Sequence, residues 1–258
     1  LPNSMHREWT ERAATAAKHV LCEKPLAATS ADARAMAEAV RAARVLLMEA
    51  YMTPFHPRSA EAVRLAAAGN AGPLGDLQAI DATFRFPLED PLNHRWRPEM
   101  GGGALLDVGI YCLAPMFSAT RTSPSAATVT LASVNIGGGG VDATLSATLR
   151  LGEQGPVARF DVSFEKEEHQ SITFEGSAGV MHVDTSFTPG REDEHLVVEL
   201  RDGSKEEIWT GGEDPYRGMV DHFADCVRGR TQMSRTPADS IELLELMERI
   251  RAVAMAGR

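Results

Sequence analysis

The sequence predicts an α/β chain in two unequal parts: the end of a parallel sheet, then an α+β part built on a large, open, mostly antiparallel sheet. Three observations carry this. The first 50 residues alternate helical and apolar strand-like segments, the rhythm of parallel strands joined by crossover helices. From Leu77 to about residue 210 strand-like runs follow one another with one helix among them, so most neighbours must run antiparallel. A short apolar run ends in Glu23-Lys24-Pro25, which puts an acid and an amine at the carboxyl end of a strand, where open α/β sheets bind ligands.

Asn3 or Ser4 caps a first helix running to about Ala17, with Trp9, Ala13 and Ala16 on one face. His19-Val20-Leu21-Cys22 opens a buried strand over 19–23, and Pro25 cannot continue its ladder. Thr29-Ser30 caps an Ala-rich helix over about 31–43, and Val45–Ala50 is a second apolar strand. A helix over about 57–68 ends at Gly69, and Leu77–Phe86 reads as a strand. Residues 87–100 form a loop rich in Pro, Arg and Trp, and Gly101-Gly102-Gly103 opens a helix over about 103–118. Strands follow near 127–135, 142–151, 157–165, 170–175, 179–184, 195–201 and 204–209. Gly137–Gly140 reads as a hairpin loop and the acidic run Glu165–Glu168 as a solvated strand end. One helix lies near 216–229. The last is capped by Thr236, has Pro237 in its first turn, and places Ile241, Leu244, Met247 and Ile250 at helical spacing.

With 258 residues and 43% hydrophobic content the chain can build a real core. The net charge of −10 and the lack of a basic cluster argue against a nucleic-acid partner. No window approaches the 18 apolar residues of a membrane span, and residues 1–8 do not form a secretory signal. Cys22, Cys112 and Cys226 are odd in number and far apart, as expected of reduced core thiols in a cytoplasmic protein. Without C-x-x-C or H-E-x-x-H, a metal site has no support.

Lys24 on its own is open to two readings, a solvated lysine closing a strand or a site residue. Asp107 and Tyr111 stand four apart and share one face of their helix, while Leu105, Leu106, Val108 and Ile110 fill the other directions. A carboxylate on such a buried helix must have a partner. Together the three suggest proton transfer beside a hydride acceptor. A free phenol titrates near pH 10, and bringing it near neutrality takes roughly 4 kcal/mol. One ammonium about 4 Å away supplies about that at an intermediate dielectric. Lys24 is therefore expected to lower the Tyr111 pKa, with Asp107 orienting either group or the substrate hydroxyl. His6, Trp96 and Arg97 are weaker candidates: His6 on a first helical turn reads as polar surface, Trp96 as packing, and Arg97 as a ligand for a sugar hydroxyl, a cofactor phosphate or a nearby carboxylate.

Pro2-Asn3-x-x-His6, Lys18-His19-Val20-Leu21-Cys22-Glu23-Lys24-Pro25-Leu26 and Glu49-Ala-Tyr51-Met-x-x-Phe55-His56-Pro57 stand in the order of a known family. Arg95-Trp96-Arg97-Pro98, leading into Gly101-Gly-Gly-Ala-Leu-Leu-Asp107-Val-Gly-Ile-Tyr111, completes the pattern. The chain resembles the glucose–fructose oxidoreductase, inositol dehydrogenase and MocA (Gfo/Idh/MocA) family. The resemblance implies an oxidoreductase using NAD or NADP, and a fold in which the C-terminal remnant of a Rossmann domain precedes an α+β domain with an open sheet. It implies boundaries of 1–54 for the Rossmann part, 55–235 for the substrate and oligomerisation domain, and 236–258 for a helix packing back on the Rossmann part. It places Lys24 near nicotinamide and substrate and Tyr111 in the acid/base position, with Asp107 beside them. Pro2, Asn3, His6, Glu23, Lys24, Trp96 and Arg97 are the implied cofactor ligands. Tyrosine at position 111 is similar to the glucose–fructose oxidoreductase, xylose dehydrogenase and dihydrodiol dehydrogenase branch, which implies an aldose or vicinal diol substrate. A homodimer or homotetramer through the open sheet is expected too, since one side of a single-layer sheet would otherwise be a bare apolar patch.

The departure from the pattern is at the start. No G-x-G-x-x-G occurs in the 258 residues, and the chain opens at Leu1 directly into a helix. The expectation is a fragment lacking the phosphate-binding turn at a helix N-terminus. Besides the dehydrogenase, two readings stay open: a catalytically impaired fragment, and a non-catalytic cofactor-binding regulator on the same fold. On the fragment reading this polypeptide binds dinucleotide weakly. A fluorescence titration with NADPH checks this, and tight saturable binding in the micromolar range overturns it.

Overall fold

The computed structural model describes residues 1–257. Strand β1 (Val20–Glu23) runs parallel to β2 (Leu47–Ala50), with Cys22 opposite Glu49. Helix α1 (His6–Thr15), entered through a 3-10 turn, and α2 (Ser30–Ala43) pack against each other beside this pair. Thr29 caps α2 by accepting from the Asp32 backbone N–H. The buried face of α1 differs from the expected one. His6, Thr10 and Ala14 are inside, while Trp9 is 45% exposed beneath the Arg12 guanidinium. The buried stripe runs through positions 6, 10 and 14, and His6 on it reaches the Pro25 carbonyl, so Trp9 is turned to the surface.

Helix α3 (Pro57–Ala66) leads to the central strand β3 (Leu77–Arg85), and α4 (Ala104–Thr120) follows a turn-rich segment. The remaining strands are β4 (Ala127–Ile136), β5 (Asp142–Leu151), β6 (Val157–Ser163), β7 (His169–Gly176), β8 (Gly179–Asp184), β9 (Glu194–Leu200) and β10 (Lys205–Thr210). With β3 they form an eight-stranded sheet in the order β10-β9-β8-β7-β3-β6-β5-β4. Only the β3–β6 pair is parallel. The hairpins impose the antiparallel ladders, and the one parallel contact spans the long connection through α4, β4 and β5. Helix α4 is apolar on nearly every side and packs on β3, β5 and β6, as an all-round hydrophobic helix must.

Helices α5 (Pro215–Val227) and α6 (Pro237–Ala256) close the fold. Thr236 and Asp239 form a capping box at the start of α6. This helix reaches both parts of the chain. Glu248 accepts from the Ser30 N–H and hydroxyl at 2.7 Å each, Glu245 pairs with Arg34, and Arg249 donates to the Ala127 and Pro124 carbonyls. Among the described residues no helix is long and apolar enough to cross a membrane, and no three His, Cys, Asp or Glu are grouped to hold a metal ion. The three cysteines are free and buried.

The open face of the sheet is not the apolar patch expected. Ser133 pairs with Ser146 and Thr144 with Ser163 through their hydroxyls, Arg159 with Asp81, and Thr173 with His182. Alternation along each strand sends the large apolar side chains, such as Phe84, Leu145, Phe160 and Phe174, to the helix-covered side. The other side keeps mostly hydroxyls and paired charges, with Leu131 and Trp209 exposed on its outer strands.

One buried carboxylate fixes the start of α4. Asp142 is fully buried and accepts from the Leu105 backbone N–H at 2.7 Å, with Arg251 3.0 Å from its other oxygen. Gly103, at φ +118°, lets this group in, since a Cβ there would lie 2.4 Å from Asp142 Oδ1. Burial raises the Asp142 carboxyl above its usual range, and the Leu105 N–H and Arg251 only partly oppose this. A neutral amide that still accepts is therefore tolerated better than removal of the acceptor. Urea unfolding should show Asp142→Asn within about 1 kcal/mol of wild type and Asp142→Ala losing about 2 kcal/mol or more. Equal losses would sink this account.

Candidate active site

Lys24 follows the last residue of β1, and its peptide bond to Pro25 is cis. Its Nζ donates to the Asp107 carbonyl at 2.6 Å and to Asp107 Oδ1 at 3.2 Å. On the other side, Arg95 Nε donates to Asp107 Oδ2 at 2.8 Å. One carboxylate, its side chain 12% exposed, thus holds two cations from different parts of the chain. Burial alone would raise the Asp107 carboxyl. The Lys24 charge and then the Arg95 charge outweigh it, so Asp107 sits below the ordinary carboxylate range and stays ionised.

The turn before α4 places Arg95. The Gly101, Gly102 and Gly103 N–H groups donate to the carbonyls of Pro98, Arg97 and Arg95, folding this segment onto the helix start. A Cβ on Gly102 would lie 2.4 Å from the Arg95 oxygen, so the approach requires glycine.

Tyr111 lies one turn further along α4. Its ring meets Phe84 edge-on at 5.2 Å and Tyr51 at 5.5 Å, with Phe187 at 6.1 Å. The Lys24 ammonium sits over this ring, 4.9 Å from its centroid, and the phenol contacts Met52 Sδ at 3.9 Å. The expectation that Lys24 lowers the Tyr111 pKa is overturned here. The ammonium is committed to Asp107 and faces the ring, and burial pushes the phenol well above its ordinary range. The Tyr111 phenol therefore stays protonated at neutral pH.

A cavity of about 490 Å³ opens beside Lys24, Asp107 and Tyr111, with Arg95, Gln170 and Thr188 also on its walls. Lys24, Asp107 and Tyr111 are brought together as a cluster. The other sequence candidates are dispersed. Pro2 caps the 3-10 turn at Asn3–Met5, and Asn3 Nδ2 donates to the Gly101 carbonyl at 2.8 Å. His6 is not polar surface: it is 3% exposed, with its ring nitrogens 3.0 Å from the Pro25 oxygen and 3.2 Å from the Leu1 oxygen. Glu23 is exposed at the strand end. Trp96 packs edge-on against Phe164 at 5.4 Å, and exposed Arg97 borders a separate cavity with it.

Arg95, Gln170, Thr188 and Glu168 were not expected at the site. Arg95 and Arg97 flank Trp96 symmetrically in the sequence, and only the 3-10 turn at His94–Trp96 decides which one faces Asp107. Glu168, read as a solvated strand end, is exposed but borders the cavity. Gln170 and Thr188 come from a strand and a distant loop, with no periodic signal linking them.

Removing the shared anion leaves two cations facing each other. Asp107→Ala should therefore cost about 3 kcal/mol in chemical unfolding. Arg95→Ala should cost less, since Lys24 still holds the carboxylate. An Asp107→Ala loss below about 1 kcal/mol would show that the pair carries little of the fold's stability.

Residues 1–51 match the oxidoreductase family with an NAD-binding Rossmann fold, and residues 62–182 match the GFO/IDH/MocA C-terminal domain. A dTDP-3,4-didehydro-2,6-dideoxy-alpha-D-glucose 3-reductase of Saccharopolyspora spinosa is 35% identical over 90% of this chain and 68% of its own length. A D-xylose 1-dehydrogenase (NADP(+)) of Haloferax volcanii is 32% identical, over 98% of this chain and 75% of its own. Among solved structures, aldose-aldose oxidoreductase from Caulobacter crescentus, complexed with glycerol, superposes with a TM-score of 0.89 at 28% identity, covering 100% of this chain and 76% of that one. A 3-ketoreductase from Actinomadura kijaniata in complex with NADP and TDP-benzene gives 0.88 at 26% identity, covering 98% and 76%. The two-part fold, the order of the matched segments and these relatives agree: the chain belongs to the Gfo/Idh/MocA family of oxidoreductases.

Proposed function

We propose that this protein is an NAD(P)-dependent sugar oxidoreductase whose site works most readily as a carbonyl reductase, with Tyr111 as the proton donor. The observation that carries this is the Lys24–Asp107–Arg95 cluster over the Tyr111 ring, opening to a cavity at the carboxyl end of β1. Residues 1–54 are taken as the Rossmann part, 55–235 as the substrate domain and 236–258 as the helix joining them. The buried free thiols suit a cytoplasmic protein. A second copy of the chain is proposed to cover the open sheet face, where Leu131 and Trp209 stand exposed.

The residues at the end of β1 fit the nicotinamide half of a dinucleotide. Lys24 retains an N–H beyond the two bonds it gives Asp107, and Glu23 offers an exposed carboxylate. Asn3 Oδ1 accepts from no protein group among the described residues. Bound there, nicotinamide would supply or accept the hydride. The protein does the rest. Within the cluster, two cations and one carboxylate leave a single positive charge in excess, while exposed Glu168 also borders the cavity. Negative charge grows on a carbonyl oxygen as hydride adds to its carbon, and a preorganised, water-poor cation stabilises it. Tyr111 then gives its proton to that oxygen. An alkoxide is more basic than a phenolate in the same surroundings, and the burial that raises the phenol acts on the adjoining alkoxide as well, so the transfer keeps its downhill direction.

Oxidation asks the same phenol to accept a proton, and it must first be deprotonated. In the native protein, sugar reduction should be nearly flat from about pH 6 to 8 while alcohol oxidation rises steadily across that range. Tyr111→Phe should lower kcat for both directions by about 10²–10⁴ and leave cofactor affinity nearly unchanged. Steady-state rates against pH, with dinucleotide titrations on both proteins, test this. Turnover surviving in Tyr111→Phe would remove Tyr111 from the proton-transfer role.

A further inference from the structure

Thr188, on the wall of the cavity, ends a short segment, residues 185–188, that is pinned at every position. The Thr185 carbonyl accepts from Arg58 Nη2 at 2.8 Å, and its N–H donates to the Gln170 carbonyl at 2.9 Å. Thr185 is a β-branched residue at φ +47°, an uncommon conformation that such anchoring sustains. The Ser186 hydroxyl bonds the Val183 carbonyl. Phe187 is buried, stacked on Phe84 at 5.5 Å, and its carbonyl accepts from the Thr53 hydroxyl at 3.0 Å. Thr188 gives both its N–H, at 3.1 Å, and its hydroxyl, at 3.0 Å, to Gln170 Oε1.

That last pair fixes which end of the Gln170 amide is which. A backbone N–H can only donate, so the atom facing Thr188 must be the oxygen. The amide nitrogen is left with no protein acceptor among the described residues. Gln170 stands opposite Phe84 in the β3–β7 ladder, so its side chain is on the face that carries the aromatic floor under Tyr111. It lines the same cavity as Lys24 and Tyr111.

We propose that Gln170 is a specificity residue: its oriented amide N–H donates to one sugar hydroxyl oxygen away from the reacting carbon. Thr188 is the positioning residue that keeps the donor end of the amide turned toward the substrate. This deepens the sugar oxidoreductase reading and rests on it for the identity of the ligand. The other polar groups at the cavity are two cations, the Asp107 carboxylate paired with them, the exposed Glu168 carboxylate, the Thr188 hydroxyl already given to Gln170, and the Tyr111 phenol. Gln170 is the neutral, pre-aimed donor among them, suited to a hydroxyl that carries no charge.

The test pairs Gln170→Met, which keeps length and loses the donor, with a panel of monodeoxy derivatives of D-glucose and D-xylose. Both kcat/KM with dinucleotide and binding of each sugar by calorimetry are measured on the native protein. Gln170→Met should weaken the parent sugar about tenfold, the size of a net neutral hydrogen bond, through KM more than kcat. It should leave one monodeoxy sugar unaffected, the one lacking the hydroxyl that Gln170 reads. Equal losses for every sugar mean a wall residue only and overturn the assignment, as does no loss. Turnover without this coupling removes Gln170 and keeps the oxidoreductase reading. Coupling in sugar binding without any turnover keeps Gln170 and removes that reading. A wild-type protein that neither binds nor turns over any sugar of the panel overturns both.

Discussion

Asp107 is the group on which the rest of the site depends. A carboxylate at this depth survives only because two cations reach it, Lys24 from the end of β1 and Arg95 from the turn ahead of α4. The same contact joins the parallel β1–β2 unit to the large sheet, because α4 lies flat on the sheet while Lys24 belongs to the smaller unit. The glycines at 101–103 and the buried Asp142 serve this contact: the first fold Arg95 inward, the second fixes the first turn of the helix that carries Asp107.

The Lys24–Tyr111 pair shows how geometry decides between two opposing effects. An ammonium near a phenol lowers its pKa when it meets the oxygen. Here the ammonium meets the ring face and gives two of its hydrogen bonds to Asp107, while Phe84, Phe187 and Tyr51 take water away from the phenol. Desolvation wins, and the phenol keeps its proton at neutral pH.

Much of the fold was legible because its signals are local. Pro25 ended β1, Thr29 and Thr236 capped their helices, and alternation marked the strands of the large sheet to within a few residues. Asp107 and Tyr111 were legible as a pair because helical spacing puts them on one face. What was not legible depends on tertiary choices. The buried side of α1 follows from where His6 finds the Pro25 carbonyl, the mostly polar character of the open sheet face from the facing of every strand at once, and Arg95 over Arg97 from a single 3-10 turn. Gln170 and Thr188 meet only after β7, β8 and the following loop are in place, so no spacing in the sequence announces them.

Glu49 carries a consequence for the order of events during synthesis. Its buried carboxylate accepts from the Leu26 N–H at 2.7 Å, just past the Lys24–Pro25 bond, and from Arg235 Nε at 2.6 Å and the Ser240 hydroxyl at 2.7 Å. The loop that presents Lys24 is therefore held by groups nearly two hundred residues later in the chain. While the ribosome is still making the sheet, Glu49 has no cation to bury against, and water must stay beside it. The small parallel unit precedes the sheet in the chain, yet the carboxylate that braces its lysine-bearing loop is neutralised only by the segment that leads into α6.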